Sequence, residues 1–403
     1  VNDDPIVNEE PKRTGDVPPG STTERLSELA ALFLKLGTIA FGGPAAHIAL
    51  MEEEIVRKRQ WVTQQQFLDM LGAANLIPGP TSTEMAINVG FVRAGWPGLC
   101  VAGACFILPA ALITGAFAWA YVRFGTLTRA VSVLGGIKAA VLAVIAIAIF
   151  RLGKSAVRNV GLAALGVLAL AAFLLGLNPL LILLGGGILG MAVRRAANLR
   201  AAGAALIAPL RRISWQSGGL AVAVSGAMVA PPSVWRIGLF FLRVGAVIYG
   251  GGYVLLAFLE QGLVQEHAWL THRQLLDAVA IGQFTPGPVF STATFIGYIL
   301  GGAPGAAVAT LGIFLPSFFY VGLLAPVLFR LRQSAWMSAF LDSVNVCAVA
   351  LMAAVTYRLG TDALRGWPAA LIALTALGVL LRWKVNPAWV VLGGGVAGFL
   401  LIH

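Results

Sequence analysis

Long apolar runs alternate with short polar or basic ones along this chain. A polar stretch at 1–25, rich in Pro, Asp, Glu and Thr, comes first. Apolar segments are then predicted at 29–50, 98–122, 135–150, 160–176 and 178–193. A basic stretch at 194–213 carries Arg194, Arg195, Arg200, Arg211 and Arg212, and further segments follow at 236–258, 305–329, 342–358, 366–381 and 387–402. Most are close to the roughly 20 residues that cross a bilayer as a helix. The short apolar piece 216–230, followed by Pro231-Pro232, reads as a linker element. Two semi-polar regions, 64–92 and 272–302, are each cut by Pro-Gly-Pro. Proline removes a backbone donor and glycine permits unusual dihedrals, so no straight helix continues through the triplet. Irregular backbone at membrane depth survives only where protein buries it or a watery cavity meets it. Each region is therefore predicted to be two half-helices meeting at Pro-Gly-Pro.

Composition narrows the class. Of 403 residues, 58% are hydrophobic and 11% charged, with a mean hydropathy of +0.85; soluble domains carry roughly 25% charged residues. Soluble enzymes, disordered chains and collagen-like chains are excluded, and an all-α polytopic membrane protein remains, with the lipid bilayer as its partner. The net charge of +11 would suggest nucleic acid in a soluble protein. Here clusters such as Arg57-Lys58-Arg59 lie between apolar runs and read as a positive-inside signal, so no nucleic-acid partner is expected. The same basic field would attract an anionic substrate. Cys100, Cys105 and Cys347 sit in apolar stretches, and His47, His267, His272 and His403 are scattered, so neither a metal site nor a cofactor is implied. The expected organisation is a disordered polar tail at 1–28, a first membrane repeat at 29–193, a basic linker at 194–235 and a second repeat at 236–403. The tail lacks signal-peptide character, so the first apolar segment is expected to direct insertion.

The halves repeat. Shifted by 208, Lys35 meets Arg243, Glu52 meets Glu260, Trp61 meets Trp269, Asp69 meets Asp277, and Pro78-Gly79-Pro80 meets Pro286-Gly287-Pro288. After one deletion the shift is 207: Gly90 meets Gly297, Gly95 meets Gly302, and Pro109 meets Pro316. An odd number of crossings per half would insert the copies in opposite senses, an inverted repeat with its site at the repeat interface. Placing the 52–66, 151–159, 194–235, 330–332 and 382–384 loops inside gives the inside more Lys and Arg. If 216–230 also crosses, the halves become parallel.

Candidate substrate-binding residues gather at these breaks. Thr81, Ser82 and Thr83 follow the first triplet, and Ser291 and Thr292 follow the second, which Thr285 precedes. A helix starting there offers free N–H groups and its positive dipole end to an oxyanion. Thr81 and Glu84 also have the spacing of a capping box, the structural alternative. Lys35 and Arg243 are cations within apolar runs, either facing a pathway or snorkelling to the interface. Gly42-Gly43 and Gly250-Gly251 thin their helices, for close packing or as a second discontinuity. Glu84 and His47 are the proton-coupling candidates. Asp69 and Asp277 are also acidic enough to carry protons, and read first as caps or as partners of Arg at the hairpin rim.

The motifs around these residues resemble the chromate ion transporter family in its long, two-domain form. The resemblance rests on Phe41-Gly42-Gly43-Pro44-Ala45-Ala46-His47-Ile48, Asn75 to Glu84, Ala94-Gly95-Trp96-Pro97-Gly98, Gly282 to Phe290, and Gly312 to Ser317, and extends from about residue 28 to 403. It implies export of chromate across the bacterial inner membrane, chromate resistance, and recognition of sulfate as a tetrahedral analogue. No nucleotide-binding motif is visible, so an ion gradient is the expected energy source. A sulfate carrier and an anion channel are the alternatives. An enzyme would need a nucleophile and base cluster, and none is evident. The oligomeric state, a homodimer included, stays open.

Overall fold

The computed structural model describes residues 21–41, 43–75, 77–125, 127–201, 232–248, 254–331, 335–364, 366–383 and 385–402. The stretch 216–230, most of the linker, residues 1–20, and Gly42, Gly250 and Gly251 lie outside them. Helices make up the fold, and no strand occurs among the described residues.

Helix α1 (Thr22–Ile39) begins inside the stretch read as polar tail. The Ser21 hydroxyl accepts from the Glu24 amide while the Glu24 carboxylate accepts from the Ser21 amide, a capping box strong enough to start a helix in polar sequence. The predicted crossing 29–50 does not run straight. Ala40 turns extended, Gly43 takes φ +82°, and α2 (Pro44–Glu52) starts with proline where no N–H is needed. The predicted crossing 236–258 is interrupted in the same way. Helix α8 (Val234–Val247) stops at Ile248, and α9 (Leu255–Leu259) resumes beyond it. Alanine, glycine and isoleucine are all apolar, so hydropathy does not register either break.

Both halves then follow one plan. Helices α2 and α9 run into π-helical turns, Glu53–Lys58 and Glu260–Glu266. Gln60 and Ala268 take positive φ at equivalent positions. Helices α3 (Gln64–Ala74) and α10 (His272–Phe284) open with matching capping boxes, Thr63 with Gln66 and Thr271 with Gln274. Each ends just before its Pro-Gly-Pro, as the half-helix prediction required.

Beyond the triplets, α4 (Thr81–Phe124) and α11 (Thr292–Leu331) each fold back on themselves. The reversals are at Ala94-Gly95 and Gly301-Gly302, with φ of +62° at Gly95 and +60° at Gly302. The arms touch backbone to backbone: Gly90 lies against Gly98 and Gly297 against Gly305, leaving no room for a Cβ. Then come α5 (Thr128–Ala156), α6 (Val160–Leu174) and α7 (Pro179–Ala201), and their copies α12 (Ala335–Ala363), α13 (Trp367–Arg382) and α14 (Pro387–Leu401). Among the described residues, four helices, within α4, α5, α11 and α12, are long and apolar enough to cross a bilayer, and further apolar helices there are shorter. Exposed side chains such as Leu112, Leu311 and Trp389 suit lipid contact.

The copies are inverted. Helices α5 and α12 are equivalent elements of the repeat, yet they pack antiparallel. Arg158, just past the end of α5, lies 3.5 Å from Asp342 near the start of α12. A side chain at Gly153 would meet Val349, deeper in α12. Equivalent helices pointing opposite ways require a two-fold axis in the membrane plane. The halves also interlock: α5 packs against α13 and α14, and α12 against α6 and α7.

Candidate anion site

The two Pro-Gly-Pro triplets are held by the opposite half. The Gly79 amide donates to the Ile248 carbonyl at 2.8 Å, and the Gly287 amide donates to the Ala40 carbonyl at 2.9 Å. Each triplet is thus fastened to the broken end of the other half's first helix. Glycine is required at both positions. Gly79 has φ +143° and Gly287 +85°, conformations that cost a side-chain-bearing residue on the order of 1–3 kcal/mol. A Cβ on Gly79 would also run into the Glu84 carboxyl and, at 2.5 Å, the Ser317 hydroxyl; one on Gly287 would lie 2.8 Å from the Ala110 Cβ. The protein's own atoms take up the position a side chain would need at each glycine.

A cavity of about 610 Å³ reaches the first triplet. Asn75, Gly79 and Thr81 line it at the triplet, Arg151, Arg158, Asp342 and Asn345 line another part, and residues of α5 and α12 supply much of the remaining wall. The cavity therefore brings two arginines and the N-terminus of α4 into one space. Pro80 is the N-cap there and makes no side-chain cap bond. The Thr81 hydroxyl contacts Asn75 instead, at 3.4 Å. The capping box of Thr81 with Glu84 is not formed, because Pro80 rather than Thr81 holds the cap position.

Just past this N-terminus the first turn is fully buried. Ser82, Thr83 and Glu84 are at most 2% exposed. The Thr83 hydroxyl has no hydrogen-bond partner, and the Ser317 hydroxyl is the polar group that faces the Glu84 carboxyl, with no well-formed bond between them. The second triplet differs. Thr285 donates to the Ile281 carbonyl, Thr292 to that of Val289, and Ser291 accepts from Thr114 at 3.2 Å. Pro286, Gly287 and Pro288 are buried. The second break's hydroxyls are bonded within the protein, whereas Thr83 of the first is not.

His47 is buried, and its Nε2 bonds the Ala40 carbonyl at 3.0 Å, the same oxygen that takes the Gly287 amide. It braces the break in the first helix. Gly43 caps α2 beside it. Lys35 and Arg243 do not line the cavity. Lys35 pairs with Glu54 at 2.9 Å, and Lys58 and Arg59 also reach that carboxylate. Arg243 is exposed.

A family model described as Chromate transporter matches residues 27–191 and again 235–399. The chain belongs to the chromate transporter family. The second match begins and ends one repeat length after the first. A chromate transport protein of Cupriavidus metallidurans is 34% identical over 392 residues, covering 94% of this chain and 95% of that one. A probable chromate transport protein of Synechococcus elongatus is 33% identical, covering 90% and 91%. A chromate transport protein of Pseudomonas aeruginosa is 28% identical over 98% of each chain. No solved structure matches the chain.

In this chromate transporter family member, the sequence reading missed two groups. Arg151 and Arg158 read in the sequence only as part of a topology-setting basic loop; their placement two turns apart, on and just beyond one helix end, is the signal that could find them. Lys138 was passed over inside an apolar run. It pairs with Asp277 at 3.1 Å, and the Tyr121 hydroxyl donates to the same carboxylate at 2.9 Å. Asp277 was expected to cap or to meet an arginine at the rim. Its partner is a lysine from the other half, because α10 packs on α5. Asp69, its copy, accepts from Gln65 of its own helix.

Proposed function

We propose that this protein is a secondary transporter that carries chromate out of the bacterial cytoplasm across the inner membrane, driven by an ion gradient. The observation that carries this reading is the cavity, lined by Arg151 and Arg158 and, at the first Pro-Gly-Pro, by Asn75, Gly79 and Thr81. The guanidinium groups would concentrate a dianion. Hydroxyl and amide groups at the triplet would bind it with no fixed charge to trap it. Membership of the family and the names of the relatives support chromate as the substrate. Ser155, Ala156 and Arg158 of the 151–159 stretch line the cavity, and the positive-inside rule assigns that basic loop to the cytoplasm. Glu84, buried beside the first triplet, is the group proposed to exchange a proton as the anion arrives: an anion and a carboxylate at that spacing repel, and protonation relieves the repulsion.

Inverted membrane vesicles test the whole reading. Labelled chromate should accumulate in them when a proton gradient is imposed, and collapse of the gradient should abolish accumulation. Sulfate in excess should compete if recognition is of tetrahedral dianions in general. Flux that ignores the gradient and runs only down the chromate concentration would replace the carrier with a channel.

A further inference from the structure

The open cavity has a closed twin. Ile145, Leu256, Val279, Gln283 and Val289 help to line a void of about 10 Å³ beside the second triplet. Their repeat counterparts are Met352, Ile48, Leu71, Asn75 and Thr81, and all five line the cavity of about 610 Å³. The same walls, supplied by an inverted repeat, bound a wide cavity toward one membrane face. Toward the other they enclose about the least space that holds one water.

On the same two helices as the void's Ile145 and Val279, Lys138 pairs with Asp277, which also accepts from Tyr121. Lys138 is 11% exposed and Asp277 1%. The pair joins α5 of the first half to α10 of the second, two of the helices that line the void. On the open side the corresponding residues are disposed differently. Asn345, the counterpart of Lys138, lines the cavity, and Asp69 is held by Gln65. Arg151 lines the open cavity, while its counterpart Arg358 lies over the Phe173 ring, 5.3 Å from its centre.

We propose that the void is the collapsed form of a second anion vestibule, shut by Lys138, Asp277 and Tyr121, and that Lys138 lines this vestibule once it opens. The proposal rests on the transport reading and adds a site to it. Buried charges that lose their partner are costly, so the pair stays closed when nothing replaces Asp277. A tetrahedral dianion passing from the first triplet to the second supplies that replacement for Lys138. Opening would then be tied to the presence of the anion, and the two vestibules would not gape together.

The test is labelling, which needs no transported substrate. In the full chain with Cys100, Cys105 and Cys347 changed to Ala, a single cysteine is placed at Asn75 or at its twin Gln283. A membrane-impermeant charged maleimide is applied to reconstituted vesicles from either side. Asn75→Cys should label quickly from one side, and Gln283→Cys slowly from both. Adding Asp277→Asn should raise labelling at 283 from the opposite side by about tenfold and lower it at 75, as a shift between two states requires. The charge swap Lys138→Asp with Asp277→Lys should return 283 toward slow labelling. If Asp277→Asn does not reach the membrane, Tyr121→Phe should move both rates in the same directions by less. Unchanged rates at 283, or rates rising together at 75 and 283, would overturn the vestibule and leave the ion pair as a static brace. A wild-type protein that carries no chromate would sink the proposed substrate while leaving these rates to decide the vestibule.

Discussion

The Gly79 amide bonds the Ile248 carbonyl, and one repeat further along the chain the same bond recurs with the halves exchanged, from Gly287 to Ala40. Neither triplet is anchored by its own repeat. The pair of bonds places both irregular segments at the repeat interface, where a two-fold axis in the membrane plane passes. A change at one triplet is therefore felt by the first helix of the other half.

Gly79→Ala should be destabilising, by about 1–3 kcal/mol from the positive φ alone, with the collision against Glu84 and Ser317 added to it. Thermal unfolding of the detergent-purified protein measures the loss. Ser317→Gly in the same chain should recover part of it by removing one of the two obstructing groups. No recovery would mean that the backbone strain dominates.

Replacing Glu84 by Gln keeps its shape and removes its ability to exchange a proton. Transport should stop responding to pH, with thermal stability close to that of the unaltered protein, since no capping box is lost. Chromate flux measured against pH in both proteins decides the point. Parallel curves would remove Glu84 from coupling.

At the rim, Glu54 sits among Lys35, Arg59 and Lys58, whose hydrogen bonds, Lys35 foremost, hold its carboxyl down to about 2. In an unfolded chain a glutamate titrates near 4.3. A carboxyl lowered by folding adds stability that is complete above the unfolded value and is lost as pH falls through the folded one. The unfolding midpoint should thus drop between about pH 4.3 and 2, and Glu54→Gln should lower the midpoint at neutral pH while flattening that drop. Lys35→Met should act on the same property and leave the KM for chromate unchanged, because Lys35 is spent on Glu54.

Arg151→Gln should raise the KM for chromate by about three- to tenfold with little change in maximal rate, the signature of a group that gathers anions. Arg158→Gln should have a smaller effect, because Asp342 already offsets its charge at 3.5 Å. Asp342→Asn should lower KM. All three effects should shrink in high salt, which screens exposed charges.

Repetition made much of this molecule readable from its sequence. Pro78-Gly79-Pro80 and its copy announce half-helices because proline and glycine forbid the alternative, and the paired halves follow from the constant offset between their motifs. The break at Ala40 was hidden in an apolar run, since hydropathy is blind to backbone direction. Thr81 and Glu84 have capping-box spacing, yet Pro80 takes the cap position, and only the structure fixes which residue begins a helix. Lys138 was illegible for a further reason. Its partner Asp277 belongs to the other half, distant along the chain, and only the packing of α10 on α5 brings them together. The cavity was illegible too, since a repeat tells which walls exist and not which pair stands apart.

The interlocked packing of α5 with α13 and α14 has a consequence for biogenesis. When the ribosome has finished the first half, the helices that α5 needs have not been made. At about 5–20 residues per second, the first half sits in the bilayer for some tens of seconds with that surface meeting lipid or a membrane chaperone. Assembly is therefore a late event, completed only when α14 leaves the ribosome. Two separately translated halves, meeting in the same membrane, would face the same docking step and should restore the full transporter.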